Sequence, residues 1–111
     1  MNWNNFLNEA IEKTGNYQAA APQIFEGFGV MGKAAKRQGV LTEKSKELIA
    51  LGIAIATHCD FCIAYHVKSL VRLQTTREEF CEALEMISYM GGGPSISYSA
   101  KALDAFDQFS A

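Results

Sequence analysis

The amino-acid sequence predicts an all-α fold, and three observations support that prediction. Apolar residues recur at intervals of three and four along nearly the whole chain, which is the spacing of one helix face. No segment alternates apolar and polar residues over a useful length, as a half-buried strand would. Capping residues and Gly or Pro breaks divide the chain into about six segments. A length of 111 residues leaves room for one core, so we expect a single domain over residues 1–111, with the helices around a central apolar helix.

The first two helices are predicted from their apolar faces and their end signals. Residues 3–14 carry an apolar stripe, and Gly15 is expected to end that helix. Pro22 suits the first turn of a second helix, and Gly39 is expected to end it. The apolar stripes comprise Trp3, Phe6, Leu7, Ala10 and Ile11 in the first helix and Ile24, Phe25, Phe28 and Met31 in the second.

The third helix is predicted to be the central one. Thr42 is a good N-cap, and residues 48–56 are apolar on every side. A helix without a polar face needs burial all round, so we expect it to be wrapped by the other helices or by a neighbouring subunit. A fourth helix is expected over residues 58–73, with Thr57 and Asp60 as its N-terminal capping signal.

Two further helices are predicted in the last third of the chain. Thr76 is expected to cap the fifth helix together with Glu79. The run Gly91-Gly-Gly-Pro94 is a strong stop, and a last helix is expected over residues 95–109. Apolar faces are assigned to Phe80, Leu84, Ile87 and Met90 in the fifth helix and to Ile96, Leu103, Phe106 and Phe109 in the last.

Charge and cysteine content narrow the classes of function. A net charge of −2 gives no reason to expect a nucleic acid or a membrane surface as partner. The N-terminus lacks a basic segment followed by an apolar run, so no export signal is predicted. Three cysteines, an odd number, do not suggest a disulfide framework, and we expect a reducing cytoplasm. A chain this short has difficulty burying a good core alone, so self-association is expected.

One stretch carries the residues best suited to chemistry. Cys59 and Cys62 are three residues apart, and His66 follows four residues later, so all three share one face of a helix. Near a helix N-terminus the dipole stabilises a thiolate, and His66 is placed one turn from Cys62 to take or return a proton. Glu47 lies twelve residues before Cys59, at the head of the apolar run. We take Cys59, Cys62, His66 and Glu47 as the candidate catalytic residues.

The spacing Glu47-x11-Cys59-x2-Cys62-x3-His66 resembles the core motif of the AhpD-like alkylhydroperoxidases, within the carboxymuconolactone decarboxylase superfamily. Residues 39–47, 75–83 and 91–94 are also similar to the segments flanking that motif, so the resemblance spans roughly residues 20–110. It implies a thiol peroxidase or disulfide oxidoreductase, antioxidant in role, that forms a trimer or hexamer and uses no bound cofactor.

The resemblance also implies a role for each residue of the motif. Cys62 is the peroxidatic thiol, Cys59 the more accessible resolving thiol, and Glu47 with His66 a proton relay. A hydroperoxide is the implied substrate, and a thioredoxin-like or lipoyl dithiol protein the implied reductant. The best-known alkylhydroperoxidases resemble Cys-Ser-His-Cys at the thiols, whereas Asp60 and Phe61 stand between them here. That departure leaves a generic peroxidase or disulfide reductase as the implied activity.

Three other classes of function stay open from the sequence. Cys59, Cys62 and His66 could ligate Zn²⁺, with Glu47 or His58 as a fourth ligand. A decarboxylating lyase acting on a γ-lactone is the activity that gives the superfamily its name, although members with that activity generally lack the paired cysteines. The third class is a pure interaction module that retains the motif without using it for catalysis.

Several neighbours of the motif have open or structural roles. His58 directly precedes the first thiol and is either a tuning group or a simple helix-start residue. Cys81 is interpreted as structural, and Phe61 and Tyr65 as packing residues, with Tyr65 a candidate pocket wall. Tyr89 and Tyr98 are assigned to either a pocket or a subunit contact, a choice that the sequence leaves open.

Overall fold

The computed structural model describes all 111 residues, Met1–Ala111, and confirms the all-α prediction with six helices. These are α1 (Trp3–Ala20), α2 (Pro22–Ala35), α3 (Glu43–Ala56), α4 (Asp60–Arg72), α5 (Arg77–Gly91) and α6 (Gly93–Ser110). None of the helices is both long and apolar enough to cross a membrane.

Helix α4 occupies the centre of the fold, with α1, α3 and α6 packed against it. Its Ile63, Ala64, Val67 and Leu70 are completely buried. Helix α3 packs on α4, α5 and α6 through one face only, which includes Leu51 and Ile55. The other helices of the chain therefore do not bury α3 all round: Ile49 and Ile53 project outward and are more than half exposed. Cover of this face by a neighbouring subunit stays a prediction.

Helix α1 is tied to α6 through its first turn. The buried Trp3 donates its indole N–H to Asp104 Oδ2 at 3.1 Å and its backbone N–H to Gln108 Oε1 at 2.7 Å. Gly15 does not end α1, which continues to Ala20, because glycine is compatible with helical backbone at a cost of about 1 kcal/mol relative to alanine. A glycine ends a helix when the chain turns left-handed there, and at Gly15 it does not.

Helix α2 lies apart from the core and packs only against α1, through an edge-to-face contact between Phe25 and Tyr17. It begins at Pro22 as predicted but ends at Ala35, well before Gly39. No residue of α2 is buried. Most of its apolar face is exposed, including Ile24, Phe28, Val30 and Met31.

The predicted N-caps at Thr42 and Thr76 are confirmed. Thr42 accepts a hydrogen bond from the backbone N–H of Ser45, and Thr76 forms a complete capping box with Glu79. The break after α5 is a single residue, Gly92, whose φ of 73° requires glycine's conformational freedom. Of the predicted apolar faces, Phe80, Leu84 and Phe106 are buried, Ile87, Leu103 and Phe109 are partly buried, and Met90 and Ile96 are exposed.

Candidate active site

The turn between α3 and α4 fixes the backbone of the first thiol. His58 has a φ of 57°, in the left-handed region. Its N–H donates to the carbonyl of Ile55 at 3.1 Å, and the N–H of Cys59 donates to the carbonyl of Ala54 at 3.0 Å. This pair of bonds is the Schellman ending of a helix, which usually places glycine where His58 stands. The end of α3 therefore sets the position of Cys59.

The fourth helix starts two residues later than the sequence predicts. Thr57 does not cap α4; its hydroxyl donates to the carbonyl of Ile53 at 2.8 Å and so belongs to the end of α3. The N-cap of α4 is Cys59, whose sulfur accepts the backbone N–H of Cys62 at 3.2 Å. Local capping preferences favour Thr at such a position, but the left-handed turn at His58 moves the boundary past it.

The two cysteines lie at the start of α4, as the sequence predicts, with Cys59 as the N-cap and Cys62 in the first turn, and they are joined as a disulfide. Their Cα atoms are 5.2 Å apart, within the range that a disulfide spans. Both residues are half-buried. In the reduced protein Cys62 lies at the N-terminus of α4, where the helix dipole favours a thiolate.

A carboxylate, Asp60, lies between the two cysteines in the sequence, and it forms an ion pair with a lysine from another helix. Asp60 follows Cys59 directly, and its negative charge would by itself disfavour a neighbouring thiolate. Lys101, on α6, donates to Asp60 Oδ1 at 2.8 Å. The sequence does not reveal this pair, because no local pattern links two residues that are 41 positions apart.

Glu47 and His66 form a close pair between α3 and α4. His66 Nδ1 lies 2.6 Å from Glu47 Oε2, and Glu47 is only 8% exposed. An ionised carboxylate only accepts hydrogen bonds, so beside ionised Glu47 the Nδ1 atom carries the hydrogen. The other ring nitrogen of His66, Nε2, is then free to accept a proton.

The packing of α3 on α4 therefore places the Glu47–His66 pair on the face of α4 that carries Cys62, and the disulfide joins Cys62 to Cys59. Glu47 reaches His66 across the helix pair, and His66 follows Cys62 by one turn on the same face of α4. An aromatic wall stands beside them, because Tyr65 contacts the ring of His66 edge-on with centroids 5.4 Å apart. Tyr65 also lines an open cavity of about 560 Å³, but none of the four candidate residues lines that cavity.

The remaining candidates lie outside this constellation. His58 turns its ring onto Tyr98 of α6. Cys81 is a free, half-buried thiol on α5. No group of three or more His, Cys, Asp and Glu side chains comes together in a way that could hold a metal ion, so the geometry gives the zinc hypothesis no support.

Comparison with known proteins identifies the family. The model of the carboxymuconolactone decarboxylase family matches residues 22–105. The crystal structure of apo-lpg0406, a carboxymuconolactone decarboxylase family protein from Legionella pneumophila, superimposes with a TM-score of 0.93 at 41% identity, covering 98% of this chain and 97% of that one. The chain belongs to the carboxymuconolactone decarboxylase family, which confirms the resemblance seen in the motif.

Two sequence relatives span nearly the same length. The uncharacterized protein H16_B0147 of Cupriavidus necator is 40% identical over 105 residues, covering 95% of this chain and 90% of the relative. The uncharacterized protein 4 in cox locus of Paracoccus denitrificans is 32% identical over 102 residues, covering 92% of each chain. Their names assign no activity, so the chemistry is inferred from the site itself.

Proposed function

We propose that this protein is a CxxC-dependent hydroperoxide reductase, with Cys62 as the peroxidatic thiol. One observation carries the proposal: the buried Glu47–His66 pair lies one helical turn from a cysteine pair that is close enough to form a disulfide. A thiol peroxidase needs a nucleophilic thiolate, a proton donor for the leaving oxygen and a second thiol to resolve the product. The four side chains supply these three parts.

The first half of the cycle oxidises the thiols. His66 Nε2 first takes the proton of the Cys62 thiol. The Cys62 thiolate then attacks one oxygen of the hydroperoxide, the O–O bond breaks, and the departing alkoxide takes that proton from His66 to leave as an alcohol. Glu47 orients the imidazole and stabilises its charged form. Cys62 is then a sulfenic acid. The Cys59 thiolate attacks its sulfur, the hydroxide leaves as water with a proton from the site, and the disulfide forms.

The second half of the cycle needs an external dithiol. A thiolate of the reductant attacks the protein disulfide, one protein sulfur leaves as a thiolate, and the reductant's second thiol closes its own disulfide. The protein thereby regains two electrons and two protons. A thioredoxin-like or lipoyl protein has the required chemistry and is the proposed donor. We place the cycle in the cytoplasm, where such donors keep thiols reduced.

The protein is further proposed to self-associate, as a trimer or a hexamer, through surfaces left uncovered in the single chain. The exposed apolar face of α2, centred on Phe28, has no partner within the chain. Ile53 of α3 and Met90 of α5 are also exposed and line a shallow apolar groove of about 320 Å³. A second copy would bury both surfaces. Each large apolar side chain that is fully buried contributes about 1.5–3 kcal/mol.

Replacement of single cysteines tests the peroxidase proposal. Cys62→Ser is expected to abolish the consumption of an organic hydroperoxide while the helical circular dichroism is unchanged. Cys59→Ser is expected to keep one rapid reaction and then to accumulate a sulfenic acid that dimedone labels. Cys81→Ser is the matched control and should turn over at the wild-type rate. Retained turnover by Cys62→Ser would overturn the assignment.

A further inference from the structure

His58 stands at a position where its residue type is unusual. Only His58 and Gln74 have a positive φ among the non-glycine residues, at 57° and 59°. Gln74 ends α4 in the same way that His58 ends α3: its N–H donates to Val71 at 2.9 Å, and the next N–H donates to Leu70 at 3.1 Å. The two turns share one backbone design. Glycine would suit either of them better than the residue present.

The two turns differ in what their side chains contact. The His58 ring lies flat on Tyr98 of α6, with ring centroids 4.4 Å apart and planes inclined by 10°. No hydrogen bond, ion pair or aromatic contact is formed by the side chain of Gln74. Of the two turns, only the one that precedes Cys59 therefore has its side chain packed on a neighbouring helix, α6.

A second contact with α6 is made by the residue that follows Cys59. Lys101 sits 4.8 Å from the centre of the Tyr98 ring and also bonds Asp60 at 2.8 Å. Cys59 therefore lies between two residues, His58 and Asp60, that are both anchored on α6. The anchors act on the backbone at Cys59 and leave its sulfur free to change partners.

We propose that His58 is a positioning residue, whose stacking on Tyr98 holds Cys59 within reach of Cys62 when the two thiols are reduced. This inference rests on the proposed function, because it concerns the resolving thiol of that cycle. A thiol held near its partner has a high effective concentration, which favours the disulfide over the dithiol. Loss of the stack lowers that concentration and makes the disulfide easier to reduce.

The redox equilibrium of the pair with dithiothreitol measures this effect. Dithiothreitol gives two electrons and two protons to the Cys59–Cys62 disulfide and closes to its own cyclic disulfide. The protein is equilibrated at several ratios of reduced to oxidised dithiothreitol and then alkylated, and the two forms are counted by mass spectrometry. His58→Gly and His58→Asn both remove the ring but keep a residue that tolerates a left-handed backbone. We expect each to lower the equilibrium constant for disulfide formation at least tenfold, which corresponds to a shift of about 30 mV for a two-electron couple.

Matched variants separate the effect of losing the His58–Tyr98 stack from the effect of placing glycine in the turn. Gln74→Gly makes the same backbone change in the sister turn and should leave the equilibrium unchanged. Tyr98→Phe keeps the stacking face and should behave like the wild type, whereas Tyr98→Leu should match His58→Gly. An unchanged equilibrium in His58→Gly and His58→Asn would overturn the inference, as would an equal shift in Gln74→Gly. No hydroperoxide enters this assay, so a protein that fails to reduce hydroperoxides would refute the proposed function alone.

Discussion

Replacing Glu47 by Gln tests the proton relay while changing almost nothing in size. The carboxylate is 8% exposed and its Oε2 lies 2.6 Å from His66 Nδ1, so the substitution removes one buried charge from a direct hydrogen bond. A hydrogen bond to a charged group contributes about 1.5–3 kcal/mol. If the hydrogen bond contributes this energy only in the transition state in which the imidazolium protonates the leaving oxygen, loss of the bond slows the reaction about 10- to 150-fold.

The rate of the first half-reaction is the quantity to measure. Fully reduced protein is mixed with one equivalent of cumene hydroperoxide, quenched with acid at set times, and the disulfide is counted by mass spectrometry after alkylation. Glu47→Gln should show the slower single-turnover rate and still form the Cys59–Cys62 disulfide at the end. Because Glu47 does not touch the sulfurs in this scheme, the end point should not change.

A matched control guards against an effect on folding. Glu85 is exposed on α5, so Glu85→Gln removes a charge of the same kind that takes no part in the Glu47–His66 hydrogen bond. Its rate should equal that of the wild type, and both variants should keep a cooperative thermal transition. A wild-type rate in folded Glu47→Gln would refute the relay and leave His66 to act alone.

Three other predictions concern the ion pair beside the thiols, an ion pair between α5 and α6, and the exposed face of α2. Lys101→Met leaves Asp60 unpaired beside the thiols, so alkylation of the reduced pair by iodoacetamide should slow, by less than about fivefold because the ion pair is partly exposed; unchanged alkylation would contradict that role. Arg77 holds the pKa of Asp107 below its ordinary value of 3.8 through a hydrogen bond, so this pair stabilises the fold above that pH and the contribution is lost as the pH falls through the lowered pKa. Arg77→Met should return the pKa of Asp107 to its ordinary range in an NMR titration; a pKa that stays low would contradict this cause. Phe28→Lys should weaken self-association about 10- to 150-fold, seen by light scattering over a dilution series, and an unchanged mass would show that α2 is not at the interface.

The sequence predicts the helices well where the signal is local. Thr42 and Thr76 satisfy the first N–H groups of their own helices, so a cap three residues from its partner is visible in the sequence alone. The helix ends predicted at Gly15 and Gly39 are wrong, because a glycine permits a left-handed helix ending without requiring one, and tertiary packing decides where the helix ends. The boundary of α4 is missed because a histidine, and not a glycine, makes the turn before Cys59.

The sequence predicts which site residues share one helix, but not the contacts that they make with other helices. The order of Cys59, Cys62 and His66 on one helix follows from spacing, because helical geometry fixes which residues share a face. The burial of Glu47 and its bond to His66 depend on how α3 packs on α4. Spacing alone favours Glu47 only weakly over an ordinary exposed carboxylate, and the resemblance to the AhpD-like motif is what selects it. The Lys101–Asp60 bond and the His58–Tyr98 stack join α6 to the turn and leave no trace in local pattern.

Hydroperoxide reduction by the Cys59–Cys62 pair is tested most directly by a map of the thiols before and after one equivalent of an organic hydroperoxide. The reduced protein is treated, alkylated and analysed by peptide mass spectrometry. The proposed peroxidase cycle predicts that Cys59 and Cys62 become a disulfide while Cys81 remains alkylated. If all three thiols stay free, or if the pair is protected by stoichiometric zinc, the protein does not reduce hydroperoxides through this site.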